Sequence, residues 1–162
     1  MAVKPRCPVC KEPLSALAWS PERERWEGEC QEHGAQPVKR EPYRPTELEA
    51  KFLLYVRAYH LPMPVCELHF HPERHWRVDF AWPRLGQHRD AGLAVEIDGG
   101  QWVQGRHQRP QGFAGDIAKS NQLARLGWRL LRFTTQDFDD PAAMMRTVGE
   151  VLGVYWIEAI AH

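Results

Sequence analysis

Four metal-ligating side chains near the start of the chain constrain it most: Cys7-x2-Cys10, a gap of nineteen residues, then Cys30-x2-His33. Two such pairs have zinc-ribbon spacing and satisfy one tetrahedral Zn2+ only by folding together. The runs L-S-A-L-A-W and R-E-R-W-E-G between them read as two short strands of a hairpin, with Pro8, Gly28 and Gly34 supplying turns. A segment this short buries too little surface to fold alone, so the metal is expected to supply much of its folding free energy. Protein ligands fill all four positions of that site and leave none for substrate, which makes the zinc structural. A disulfide is the competing reading, and it suits a reducing compartment poorly. Cys66, the remaining cysteine, lies in a strand-like run and reads as a small buried residue.

The 162 residues, 43% hydrophobic with seven Trp, suffice for one ordinary domain plus a small module. The organisation expected is a zinc ribbon over 1–36, a linker over 37–45 carrying Pro37, Pro42 and Pro45, and a main domain over 46–162. The start M-A-V-K-P-R has no apolar run suited to a signal peptide, and no stretch nears the roughly 18 apolar residues of a membrane helix. The expectation is a cytoplasmic protein with no membrane partner.

Helical spacing over 46–59 puts Phe52, Leu53, Val56 and Tyr59 on one side, with Glu49 on that side a turn before Leu53. Thr46-x-x-Glu49 is a capping box, which explains Glu49 structurally; an inward Glu can also serve as a metal or water ligand, and both readings stay open. Runs 65–70 and 77–81 suggest antiparallel strands around the turn H-P-E-R-H, with Trp76, Val78 and Phe80 on one face and Arg77 and Asp79 on the other. Residues 92–97 are apolar until Glu96, as in a central strand covered on both sides. Glu96 and Asp98, two apart, point the same way, and Gly99-Gly100 ends the strand. Three carboxylates gathered at strand ends repel unless a divalent cation sits among them, and an oxygen-only donor set suits Mg2+ or Mn2+. Salt bridges to Arg77, Arg106 or Arg132 are the structural alternative. His69, His71 and His75 read as surface residues able to touch substrate.

Net charge is zero, yet 101–135 holds six Lys or Arg against one Asp or Glu, directly after the acids. A basic block beside a metal site suits an enzyme acting on a polyanion; a solvated helix face is the plainer explanation. The stretch 101–115 reads as a long loop in which Arg106, His107 and Arg109 are natural phosphate contacts, while Trp102 and Phe113 pack on the core or stack on a base. A helix over 116–126, stopped by Gly127, puts Lys119 within about 40° of Leu123 and Leu126, on the side facing the sheet. There it either snorkels to solvent or reaches the carboxylates. Residues 128–133 are the next strand, parallel to the previous one, and Asp140-Pro141 opens a last helix. The tail V-Y-W-I-E-A-I-A-H is apolar enough to dock on the body or on a second subunit, so a homodimer is one way to cover it.

The order helix, hairpin, central strand with E-I-D, crossover helix, strand, carried by R-x-D-F-A-W, L-A-V-E-I-D-G-G, G-R-H, D-I-A-K-S-N and G-W-R-L-L-R-F, resembles the PD-(D/E)XK restriction-endonuclease-like superfamily. Within it the run is most similar to small phage and bacterial nucleases akin to very-short-patch-repair endonucleases. The resemblance covers a little over half the chain. It implies an α/β fold with an αβββαβ core, a mixed central sheet flanked by helices, and the zinc ribbon appended. It implies that Asp79 and Glu96 are metal ligands, together with the Ile97 carbonyl, and that Glu49 matches a helix-one Glu. The usual lysine position holds Asp98, and Lys119 stands as a candidate for the displaced lysine.

The function implied is Mg2+- or Mn2+-dependent hydrolysis of DNA phosphodiesters in phage or bacterial DNA processing, structure-selective or weakly sequence-specific. Asp79 and Glu96 would hold the ion, Glu49, Asp98 and Lys119 would orient or deprotonate the water, and Arg106, His107 and Arg109 would meet phosphates. Two readings from other classes compete: an inert nucleic-acid-binding protein that keeps the nuclease fold, and a protein-binding module without DNA affinity.

Overall fold

The structure is a computed structural model that describes residues 5–38, 41–84, 92–99 and 110–154. Its strands are β1 (Ser15–Ser20), β2 (Arg25–Cys30), β3 (Gly34–Val38), β4 (Val65–His69), β5 (Arg77–Pro83), β6 (Gly92–Asp98) and β7 (Trp128–Thr134). Its α-helices are α1 (Glu47–Ala58), α2 (Pro110–Arg125) and α3 (Pro141–Leu152), with a 3-10 turn at Thr135–Asp139. The seven strands form one mixed sheet in the order β3-β2-β1-β4-β5-β6-β7, antiparallel except for the parallel pair β6 and β7 joined through α2.

The Cys/His hairpin shares this sheet with the rest of the chain. Trp19 on β1 pairs with Cys66 on β4, so the hairpin strands extend the main sheet. A third strand, β3, runs to Val38, and the boundary expected between 36 and 37 falls inside it. The Cys/His end nevertheless keeps a small core of its own, Cys7, Leu14 and Cys30.

Local chemistry accounts for the elements. Thr46 and Glu49 form the reciprocal capping box that starts α1. Asp140 caps α3, with Pro141 at the first helical position, and Gly153 closes that helix in the left-handed region. Gly92 opens β6 at φ +119, where an added Cβ would lie 2.1 Å from the Trp82 carbonyl oxygen, so no larger residue fits that start of the strand. The helix α2 begins at Pro110, earlier than expected, and takes up the last six residues of the loop read over 101–115. Its last residue is Arg125, and Leu126, expected to face the sheet, is 40% exposed just beyond the helix end.

Side chains alternating along β6 send Leu93 and Val95 into a cluster with Phe52 and Val56 of α1 and Met144, Met145 and Val148 of α3. Ala94 joins Leu123 of α2 in a second cluster. Helices α1 and α3 therefore cover one face of the sheet and α2 the other. In β4 and β5 this alternation breaks: Cys66 and Phe80 belong to the first cluster, whereas Leu68 and Val78 belong to the second. Val78 and Phe80 thus do not share a face, contrary to the period-two reading. The change falls at Glu67 and Asp79, and Glu67 has left-handed backbone (φ 54), which takes β4 out of a regular pleat.

Among the described residues no helix is long and apolar enough to cross a membrane.

Candidate functional site

Two clusters of ligating side chains exist among the described residues. In the first, Cys7 and Cys10 lie on the turn before β1, Cys30 ends β2 and His33 lies in the turn to β3. Cys7 Sγ is 3.8 Å from His33 Nδ1, Cys30 Sγ is 3.6 Å from the same nitrogen, and Cys10 Sγ is 3.6 Å from Cys30 Sγ. All four ligand atoms lie within 4.8 Å of one another and could hold one metal ion. Their surroundings are unequal. Burial opposes ionisation of Cys7, but backbone hydrogen bonds from Cys10 and Val9, with the neighbouring thiols, outweigh it and bring Cys7 to about 7. Backbone hydrogen bonding at Glu12 favours the Cys10 thiolate, but burial and the other two thiols push it up to about 11. Metal-free, Cys7 and Cys10 do not both ionise at neutral pH; a cation between them removes that conflict.

The second cluster forms where β4 and β5 change face. Glu49, Glu67 and Asp79 bring carboxylate oxygens within 4.8 Å of one another. Each arrives for a local reason. Glu49 sits in the first turn of α1, where its Oε2 accepts the Thr46 N–H at 2.7 Å and the Tyr43 hydroxyl at 2.9 Å. The capping role and the inward position therefore coexist. Asp79 accepts the Ile97 N–H at 2.8 Å across β5 and β6. Burial pushes the Asp79 carboxyl up to about 7, against that hydrogen bond, and the Glu96 and Glu49 charges push the same way. Burial likewise raises Glu67, although Arg77 is ion-paired to it.

Glu67 was not anticipated, because a charged residue in a half-exposed strand reads as solvent-facing. Register could have found it. The β4 and β5 pairing, Cys66 with Phe80 and Leu68 with Val78, sets Glu67 opposite Asp79, the two equidistant from Glu73 in the turn.

Glu96 is not one of the three carboxylates whose oxygens converge. Glu96 projects from β6 toward α2, and Lys119 of α2 forms an ion pair with it. Their side chains are 16% and 21% exposed, so the pair is screened far less than a surface one. Both lie near enough to Asp79 to act on its charge, Glu96 raising and Lys119 lowering its pKa. The Ile97 carbonyl accepts the Gly99 N–H at 3.0 Å and keeps a second lone pair.

Asp98 stands apart. Both of its oxygens accept from Arg132 on β7, at 2.9 and 2.8 Å, in a bidentate pair. This is the arginine partner weighed as the structural alternative, and among the described residues it occupies Asp98 in place of the acid cluster. Arg106, His107, Arg109 and Trp102, together with the apolar tail from 155, lie outside the described residues, as does the Phe113 side chain.

Comparison with known proteins adds little. No family model matches the chain, and no solved structure matches it. It is similar to two uncharacterised proteins of Mycobacterium tuberculosis, one from strain CDC 1551 / Oshkosh and one from strain H37Rv, each 31% identical over 91 residues. Those residues are 56% of this chain, and the match spans only 30% of either relative's length.

Proposed function

We propose that the chain is a divalent-metal-dependent nuclease of the restriction-endonuclease-like kind, with the second cluster as its active site and a structural zinc in the first. The observation that carries this reading is the convergence of the Glu49, Glu67 and Asp79 carboxylates, with the Lys119 to Glu96 ion pair near enough to act on the Asp79 charge. A lysine beside carboxylates, half-enclosed over the interior strands β5 and β6, is poorly explained by folding alone, since apolar side chains there would stabilise as well or better.

The donor set is all oxygen, which fits Mg2+ or Mn2+ and argues against a soft metal. A cation held there would polarise a phosphodiester and lower the pKa of a bound water. The chain's own residues do the rest. Asp79, fixed by the Ile97 N–H, and Glu49, fixed through Oε2, present oxygens without having to reorganise. Glu67 is their third partner, and Glu96 with the Ile97 carbonyl flanks them. Lys119 carries positive charge to the place where the scissile phosphate would gather negative charge, and it can hold the attacking water in line. Basic residues of 101–109 are the proposed phosphate contacts.

For the first cluster the donor chemistry and spacing fit zinc. Zn–S near 2.3 Å and Zn–N near 2.0–2.1 Å give tetrahedral edges of about 3.8 Å between sulfurs and about 3.6 Å from sulfur to nitrogen. The separations are 3.6 Å for Cys10 to Cys30, and 3.8 and 3.6 Å from His33 to Cys7 and Cys30.

The test is incubation with labelled duplex, single-stranded, flap and four-way-junction DNA, with and without Mg2+ or Mn2+. Metal-dependent cutting of at least one substrate is expected. Salt-dependent binding of DNA without cleavage under any condition would favour an inert nucleic-acid-binding protein.

A further inference from the structure

The segment between the two clusters is fixed at both ends, by the Cys/His hairpin at one and by the start of α1 at the other. At its start, Trp26 of the Cys/His hairpin donates its indole N–H to the Glu41 carbonyl at 2.6 Å. At its end, Thr46 is locked into the α1 capping box with Glu49. Tyr43 lies between. Its ring packs against Trp19 of β1, centroids 6.5 Å apart, and Trp19 meets Trp26 edge-on at 6.0 Å. The Tyr43 hydroxyl reaches across to Glu49 Oε2 at 2.9 Å. A continuous path of packed rings and hydrogen bonds thus runs from the hairpin to one carboxylate of the acid cluster.

The chemistry of that last bond is specific. Tyr43 OH and Thr46 N–H both donate to Oε2, and among the described residues no hydrogen bond is made to Oε1. Two donors on one oxygen fix the plane of the carboxylate and leave the other oxygen for a cation.

We propose that Tyr43 is a positioning residue that ties the Cys/His hairpin to the acid cluster, holding Glu49 in the orientation that a divalent cation requires. The hairpin is then part of the active site's support, because it holds the segment on which Tyr43 stands. This inference rests on the acid cluster being a cation site, as proposed above.

The test is Mn2+ binding by the full, zinc-loaded chain, read from the electron paramagnetic resonance of free Mn2+, for wild type, Asp79→Asn, Tyr43→Phe and Trp26→Phe. Phenylalanine keeps an aromatic ring at either position and removes one hydrogen-bond donor. Wild type is expected to bind one Mn2+ that Asp79→Asn does not. Tyr43→Phe should retain one site with affinity about 10-fold lower, the loss typical when an outer partner of a metal ligand is removed. Trp26→Phe should weaken binding in the same direction by a smaller factor. The concentration of Mn2+ that half-activates cleavage should rise with the dissociation constant in Tyr43→Phe, while the rate at saturating Mn2+ stays within a few-fold. General destabilisation would instead lower the rate at saturating Mn2+ and reduce the number of sites, and that outcome overturns the positioning role. Unchanged Mn2+ affinity in Tyr43→Phe overturns this inference and leaves the nuclease reading standing. Unchanged affinity in Trp26→Phe alone overturns the hairpin's share in it. Absence of a site in wild type, or its persistence in Asp79→Asn, overturns the cation site itself and this inference with it.

Discussion

Lys119 on α2 and Glu96 on β6, twenty-three residues apart, form an ion pair at the edge of the acid cluster, each side chain largely shielded from solvent. On the proposed reading this lysine is the positive charge that meets the scissile phosphate. Lys119→Met keeps length and removes charge, and it should reduce cleavage by about 10²-fold or more. Its binding of Mn2+ should remain, since no carboxylate is lost. Single-turnover kinetics at saturating metal would check this; full activity would remove Lys119 from the mechanism.

Asp79 gives a pH dependence of definite sign. Its carboxyl sits at about 7 in the folded, metal-free chain and near 4 when unfolded, so the folded state holds this proton more tightly. The stability it contributes is fully present below about pH 4 and is lost as pH rises through about 7. Metal-free Asp79→Asn, which can still accept the Ile97 N–H, should therefore be more stable than wild type at pH 8, by about 1–3 kcal/mol, with the gap closing toward pH 4. Thermal melts across that range test it. Added Mg2+ should raise the wild-type midpoint at pH 8 and leave the variant unmoved.

Asp98→Ala separates two roles. Both Asp98 oxygens are taken by Arg132, and the side chains of that pair are 34% and 42% exposed. A partly solvated pair of this kind is worth less than about 1 kcal/mol. Cleavage by Asp98→Ala should stay within a few-fold of wild type and its melting point should barely move. A loss near that of Asp79→Asn would return Asp98 to the catalytic set.

The first cluster should bind one Zn2+ per chain, measurable by elemental analysis. Cys10→Ser or prolonged chelation is expected to lower the melting temperature, because a small hairpin core of Cys7, Leu14 and Cys30 has little else to hold it. Intrinsic fluorescence should change as well, since Trp19 and Trp26 both lie on the hairpin strands. An unchanged melt and spectrum after verified metal loss would contradict a structural metal.

Much of this arrangement was legible where chemistry is local in sequence. The Cys/His spacing named four residues that do converge, and helical periodicity turned Lys119 toward the sheet, where it meets Glu96. Capping rules fixed the start of α1 with Glu49 in it. What stayed hidden depends on pairing between distant strands. Glu67 enters the acid cluster through hairpin register, and Asp98 meets Arg132 only once β7 lies parallel to β6. The early start of α2 was masked by Gly112 and Gly115, poor helix formers, although Pro110 is favoured at a first helical position. The break in alternation at Glu67 had no sequence signal, because left-handed backbone is uncommon at a glutamate.

The central claim, that the acid cluster hydrolyses phosphodiesters with a divalent cation, is tested most directly by nicking of supercoiled plasmid. Wild type and Asp79→Asn, matched by circular dichroism, would be compared in Mg2+, in Mn2+ and in chelator. Metal-dependent nicking by wild type and at least a 10²-fold lower rate in Asp79→Asn is the expected result. Equal nicking by the two proteins, or none by wild type in either metal on any DNA form, would contradict it.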